Sequence, residues 1–411
     1  MAGPLYALGA FGASLLVQTL TLWMFPFHTG PGRAPPEQVG LALALGRLVN
    51  SASDVVVARW SDAVMTPWGR RRPFLVLGSP LLAASFVAVW LRPGDTAALA
   101  VALCAFFALF AAVVNPYLAL LADLHLPPAQ RVAAAGWQAA GNLVGTAAAF
   151  VGSGPLAGRY GYAGMAAAFG AVAVVCLWTA AAAVRAEPAA PQRPSLGRAL
   201  RALAHNPALV AYLTGLTFAW VGLSMVSLIL VFLVTVLMGL PSEVTPLVLT
   251  TALVSTAVFL PLVARWGQRT GAQPALEACL WVAALLLPAV SAVGWLPVDP
   301  QHHGYALVLI SGLPLAALYA LPNAVLAQLA AGGGLAALHF GVQGLALNLA
   351  NAVAAACVGA LLRLGHTPGE DIGLRLVPLA ACGFVAAGLW AFRRMRYSWP
   401  TSPGSAVGSR R

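Results

Sequence analysis

Arg47, Asn50 and Asp54 stand in GRLVNSASDVVVARW, residues 46–60, a stretch otherwise dominated by apolar and small side chains. Their spacing is i, i+3 and i+7, so on a helix they share one face. A charged side chain at the centre of a membrane helix costs about 2.5–3.5 kcal/mol on insertion scales, and such residues usually mark a pathway. Asp54 is therefore a candidate site for a proton or cation, with Asn50 beside it. Arg47 on the same face is expected to offset its charge. The competing reading is an ion pair that locks this segment to a neighbour.

The next stretch, SDAVMTPWGRRRPF at 61–74, gathers Asp62, Gly69, Arg70, Arg71 and Arg72 in one short loop. A guanidinium fork can hold a carboxylate with two parallel hydrogen bonds, which makes a reversible clamp. The simpler role of three arginines is topological, keeping the loop on the cytoplasmic side. The two roles are compatible.

Amides form the third set. Gln18, Asn115, Gln138, Asn142, Asn323, Gln343, Asn348 and Asn351 all fall within apolar segments, as does Trp220. An amide offers donors and an acceptor, which suits a hydroxyl-rich ligand, and an indole can stack on the apolar face of a sugar ring. The alternative use is hydrogen bonding between helices, worth about 0.6 kcal/mol each. The five cysteines lie in apolar runs with no C-x-x-C spacing and read as packing residues. No His, Cys, Asp and Glu spacing suggests a metal, no cofactor motif is present, and without lysine there is no P-loop.

These residues need elements to hold them. The chain has 411 residues, 60% hydrophobic and only 8% charged, where a soluble protein carries about 25% charged residues. Apolar segments near 20 residues recur along it, the length that crosses a bilayer. Twelve spans are expected, at 5–27, 37–60, 73–91, 96–121, 132–155, 161–184, 208–237, 244–265, 274–295, 304–329, 337–362 and 374–394. Arginines concentrate in alternate loops, which predicts both termini in the cytoplasm. The net charge of +11 follows from that bias, and no nucleic-acid partner is expected.

Residues 185–207 form the longest connection and divide the spans into sets of six. The expected organisation is a bundle at 1–184, a cytoplasmic linker at 185–207, a second bundle at 208–396 and a disordered tail at 397–411. VARW occurs at 57–60 and again at 263–266, and Pro116 and Pro322 are likewise 206 apart. Gly136 and Gln138 match Gly341 and Gln343 at an offset of 205. The echoes predict two pseudo-symmetric six-helix bundles rocking about a midplane site.

The run from Gly46 to Phe74 resembles the glycoside–pentoside–hexuronide cation symporters of the major facilitator superfamily. That family carries G-R-x-x-D-x-x-x-D on span two and S-D-x-x-x-T-x-W-G-R-R-R-P-F in the following loop. NPYLALLADL at 115–124 and GNLVGTAAA at 141–149 are similar to its sucrose-transporter branch. The resemblance implies an all-α major facilitator fold. It also implies a cytoplasmic gate in which Asp62, Gly69, Arg70, Arg71, Arg72 and Asp123 pin the halves together. Asn50 stands at the first acidic position of the span-two motif, and Asp54 keeps the second. Ser14, Val114 and Gln138 stand where melibiose-type carriers have charged residues.

The expected function is alternating-access transport of a small polar solute, a sugar or glycoside, either coupled to a proton or cation or as a uniporter. The expected setting is a bacterial cytoplasmic membrane, as a monomer surrounded by lipid. A non-transporting membrane scaffold and an exporter of amphiphiles are the competing readings. The discriminating expectation is that Asn50, Asp54, Gln138 and Gln343 face one central chamber.

Overall fold

The computed structural model describes residues 3–30, 32–64, 66–69, 71–123, 128–183, 206–241, 244–330 and 336–398. Side chains at several positions within those helices, Asp62 and Asp123 among them, are not described. The proposed linker therefore lies outside the described residues except for Asn206 and Pro207, and the tail beyond 398 does as well.

The described chain is helical. The first half contains α1 (Gly3–His28), α2 (Pro36–Ala63), α3 (Arg72–Ala88) and α4 (Thr96–Asp123). The helical stretch Pro128–Ala183 then turns on Gly161, whose φ of 70° favours glycine, so it is two helices, α5 (128–160) and α6 (162–183). The second half contains α7 (Pro207–Leu228), α8 (Thr245–Thr270), α9 (Ala272–Ser291), α10 (Pro300–Ala330), α11 (Ala336–Leu362) and α12 (Ile372–Ser398). Helix α7 breaks at Ile229 and resumes as a short turn and a π-helical segment, Leu233–Leu237.

Nine stretches among the described residues are long and apolar enough to cross a membrane, and one of them, Gly136–Ala183, has room for two spans. Helix α3, with 17 residues, is a shorter apolar helix. Twelve long helices result among the described residues, as the apolar pattern predicts. The spans differ at one boundary in kind. Pro155 lies inside α5, and the chain turns six residues later at Gly161. A proline tolerated within a membrane helix hid the true break.

Small residues set the packing, as expected where lipid gives no hydrophobic drive for helix association. A Cβ at Gly141 or Gly145 would run into the backbone carbonyl of Ala7 or Phe11, so α5 lies directly on α1. A Cβ at Gly222 would lie 2.6 Å from the Ala381 carbonyl oxygen, which brings α7 equally close to α12. An aromatic cluster of Trp23, Phe27, Trp90 and Tyr162 closes the first half near the α1–α2 connection. Trp23 Nε1 donates to Ser153 Oγ at 2.8 Å within it.

The repeat appears in the contacts as well as the sequence. Tyr6 on α1 stacks on Tyr117 of α4, with centroids 4.8 Å apart, and Tyr117 Oη donates to the Tyr6 carbonyl at 2.9 Å. Tyr212, 206 residues after Tyr6, donates its hydroxyl to the Pro322 carbonyl of α10 at 2.7 Å. In both halves a tyrosine on the first helix reaches the proline-bearing segment of the fourth.

The halves meet chiefly through α2 and α11. A Cβ at Gly40 would lie 2.8 Å from Gly359 Cα and 2.5 Å from the Ala355 carbonyl oxygen. His366 Nε2 lies 3.2 Å from the Thr29 carbonyl, and Gly154 sits beside Pro246. These contacts seal the rim that carries the α1–α2 and α11–α12 connections.

Candidate functional site

Asp54 sits two-thirds of the way along α2 from the sealed rim. Its Oδ1 accepts a hydrogen bond of 2.7 Å from Asn115 Nδ2 on α4. Its Oδ2 accepts one of 3.0 Å from Asn348 Nδ2 on α11 and one of 3.3 Å from Asn50 Nδ2 on its own helix. Three neutral amides thus hold one carboxylate, and one of them comes from the opposite half. Among the described residues, the hydrogen bonds and close glycine contacts joining the halves lie at this pair or nearer the sealed rim. Asn50 Oδ1 is buried and has no partner among the described residues.

Arg47 does not offset Asp54. Its guanidinium lies over the Phe107 ring of α4, 4.5 Å from the centroid. Three helical positions share a face only approximately, and the long arginine side chain swings to the nearest aromatic quadrupole, where a cation is stabilised. The carboxylate is left with hydrogen bonds and no cation among the described residues, which leaves room for a positive ligand.

The other amides separate into pairs. Ser14 Oγ donates to Asn142 Oδ1 at 2.5 Å and lies 3.1 Å from Thr146 Oγ1, joining α1 to α5. Gln343 Oε1 lies 2.8 Å from Tyr212 Oη, and Gln343 Nε2 donates to Asn323 Oδ1 at 3.0 Å, joining α7, α10 and α11. Asn351 Oδ1 accepts from Ser224 Oγ at 3.0 Å. Gln18 and Gln138 are half-buried and make no side-chain hydrogen bond among the described residues. Trp220 packs against the core with its indole N–H buried and unpartnered among the described residues.

Of the four residues expected to face one central chamber, the hydrogen bonds bring two together. Asn50 and Asp54 share a cluster with Asn115 and Asn348, while Gln343 is only 7% exposed and spent on Tyr212 and Asn323. Tyr212 was missed because an isolated tyrosine in an apolar run carries no polar periodicity. The offset of 206 from Tyr6 could have found it.

The arginine loop is described in part. Gly69 has φ of 92°, so the turn needs a residue without a Cβ. Arg71 is buried, and its Nη1 donates to Ser61 Oγ at 2.6 Å. Arg72 opens α3. Arg70 and the side chains of Asp62 and Asp123 lie outside the described residues, and so does the carboxylate clamp predicted between them. Among the described residues no group of three His, Cys, Asp or Glu could hold a metal ion.

The fold is that of the major facilitator transporters. The nucleoside transporter NupG superposes with a TM-score of 0.75 at 11% identity, covering 96% of this chain and 99% of that one. A bacterial homolog of the human lysosomal transporter Spinster, in an inward-facing conformation, gives 0.75 at 16% identity, covering 98% of both chains. Residues 5–369 match the family described as MFS/sugar transport protein, and the chain belongs to that family. An uncharacterized symporter of Synechocystis is 28% identical over 88 residues, 21% of this chain and 16% of that protein. A glucuronide carrier protein homolog of Escherichia coli is 30% identical over 86 residues, 21% of this chain and 19% of that protein. The chain thus matches less than a fifth of the length of these curated relatives. Its apolar helices and its family make it an integral membrane protein.

Proposed function

We propose that this protein is a secondary transporter that moves a small polar solute, a sugar or glycoside, across the cytoplasmic membrane by alternating access. The observation that carries the reading is the Asp54 carboxylate. It is anchored in one half by Asn115 and reaches Asn348 in the other, with no cation among its described neighbours. A proton or a monovalent cation taken up there changes the charge that Asn348 sees, and so biases the contact between the halves. A ligand that binds one conformation better shifts the population toward it by that difference in affinity.

Gln18 on α1 and Gln138 on α5 supply unspent amides for solute hydroxyls, and the family description and the glucuronide carrier homolog favour a sugar-like solute. The sealed rim is the outer one if both termini are cytoplasmic, so this conformation is the inward-facing state. The two six-helix units, 1–184 and 208–396, act as the rocking bodies and the protein works as a monomer. The arginine loop of Arg70, Arg71 and Arg72 would pin the inner rim in the opposite state, against Asp62 and Asp123.

Uptake of a panel of radiolabelled mono- and disaccharides and glucuronides into vesicles holding the purified protein tests this. At least one sugar should enter faster than into protein-free vesicles. A panel that enters only at the leak rate would sink the sugar reading.

A further inference from the structure

Away from the central site, α12 carries two arginines that differ from ordinary topological charges. Arg393 and Arg394 stand near the end of α12 opposite the sealed rim, and both are exposed. An arginine at the end of a membrane helix ordinarily snorkels out to water. These two turn back into the bundle's lipid-facing surface instead. The Arg394 guanidinium lies 3.7 Å from the ring centroid of Trp390, one turn further from the helix end. The Arg393 guanidinium lies 5.4 Å from the ring centroid of Trp281, which stands near the middle of α9. Side chains lean toward the N-terminus of their helix, here toward the bilayer, and the indole faces hold the cations there.

Neither guanidinium forms an ion pair with a carboxylate among the described residues. Glu277, the acid on α9, is buried and accepts from Gln273 Nε2 at 2.8 Å. Helices α9 and α12 pack along a seam, where Gln273 Nε2 lies 3.4 Å from the Phe392 carbonyl and Cys382 Sγ lies 3.2 Å from the Ala284 carbonyl. Both indoles are exposed beside that seam. Gly383, Ala386 and Trp390 continue it as an exposed stripe on α12, and a Cβ at Gly383 would meet nothing within 4 Å. From Gly383 to Arg394 the helix rises about 16 Å. That is half of the ~30 Å hydrocarbon core, the depth of one leaflet.

We propose that Arg393 and Arg394, held by Trp281 and Trp390, bind the phosphate of an anionic phospholipid whose acyl chain lies along the α9–α12 seam. A guanidinium seated on a ring keeps N–H donors for phosphate oxygens, and its planar fork suits them. Two cations without a carboxylate beside them complement a net negative headgroup and offer nothing to the ammonium of a zwitterionic one. Basic sites between membrane helices recognise anionic headgroups on this ground. The inference needs only that the chain sits in lipid, so it stands or falls apart from the transport reading.

The test is native mass spectrometry of the full chain in a non-ionic detergent, titrated with phosphatidylglycerol or with phosphatidylethanolamine of the same acyl chains. Phosphatidylglycerol should bind about tenfold more tightly, the scale of charge-assisted hydrogen bonds to one phosphate. Arg393→Gln with Arg394→Gln should bring it to the phosphatidylethanolamine level. Arg265→Gln with Arg269→Gln removes the same charge from exposed positions of α8 and should keep the preference. Trp281→Leu with Trp390→Leu keeps both charges but frees them to reach water, and should lose most of the preference. Millimolar inorganic phosphate should leave the lipid bound, because it has no acyl chain to seat. Equal binding of the two lipids by the wild type would overturn the site. So would a preference that survives either the arginine or the tryptophan pair of substitutions at the seam, an equal loss in the α8 variant, which would mean diffuse charge, or displacement by free phosphate. Should the Arg393 and Arg394 variant fail to fold, the wild-type comparison and the tryptophan variant still decide.

Discussion

Asp54 takes its position from α2 and its chemistry from three other side chains. Removing Asn348 by Asn348→Ala deletes the bond that crosses between the halves and leaves Asn115 and Asn50 in place. A hydrogen bond to a charged group contributes about 1.5–3 kcal/mol net, so the ion dependence of uptake should shift by tenfold or more. Thermal unfolding should move by only a few degrees, because both halves keep their own packing. An unchanged ion dependence would detach Asn348 from the mechanism. Tyr212 is the structural counterpart. Tyr212→Phe removes the hydroxyl that donates to the Pro322 carbonyl and contacts Gln343, at a cost of about 1–2 kcal/mol. Melting should fall while the ion dependence stays, and the reverse pattern would put Tyr212 in the transport site. The sequence made Asn50, Asp54, Asn115 and Asn348 visible because polar residues in an apolar helix stand out. It could not make the sorting of amides into separate pairs visible, since that depends on which helices adjoin. Nor could periodicity foresee Arg47 over Phe107, since the ring belongs to another helix.

The helices carry the next level of the argument. Helix α2 meets α11 through Gly40 and Gly359, where backbone touches backbone. Leucine in place of Gly359 would hold the two helices apart at the sealed rim. Gly359→Leu should therefore deplete the state described here, read as a longer distance between labels across that rim. It should leave α1 against α5 intact. Equal distances in Gly359→Leu and wild type would show that the rim is not closed by this contact. Helix α7 begins on a side-chain cap. Asn206 Oδ1 accepts the Leu209 N–H at 3.2 Å and Pro207 follows at the first helical position. The apolar pattern placed that start at residue 208, one residue later, without its cap. Helix α10 begins in a similar way at Asp299, whose carboxylate accepts the Gln301 N–H at 3.0 Å and faces His302 at 2.8 Å. Those bonds hold the Asp299 carboxyl below its usual range. Its contribution is present at neutral pH and lost as the pH falls through that lowered value. Protection of the amides of residues 301–303 relative to their intrinsic exchange rates should fall in acid, and Asp299→Ala should show the low protection at every pH. Exchange that ignores both would remove the cap from the account.

At the scale of the molecule, twelve apolar segments, a long central connection and echoes at an offset of 206 were enough to predict the fold. Apolar length is a strong signal because the bilayer fixes it. The conformational state was not legible, because the same helices serve both states and only contacts between the halves distinguish them. Apart from Asp54 and Asn348, those contacts rest mainly on glycines and carbonyls with no sequence signature. What the halves do together turns on Asp54. The most direct measurement is accumulation of the transported sugar in vesicles under an imposed proton or sodium gradient, comparing wild type with Asp54→Asn. The wild type should concentrate solute above equilibrium, while Asp54→Asn should equilibrate it without concentrating it. Equal accumulation by the two proteins would contradict the assignment of Asp54 as the residue that links the ion to the movement of the halves.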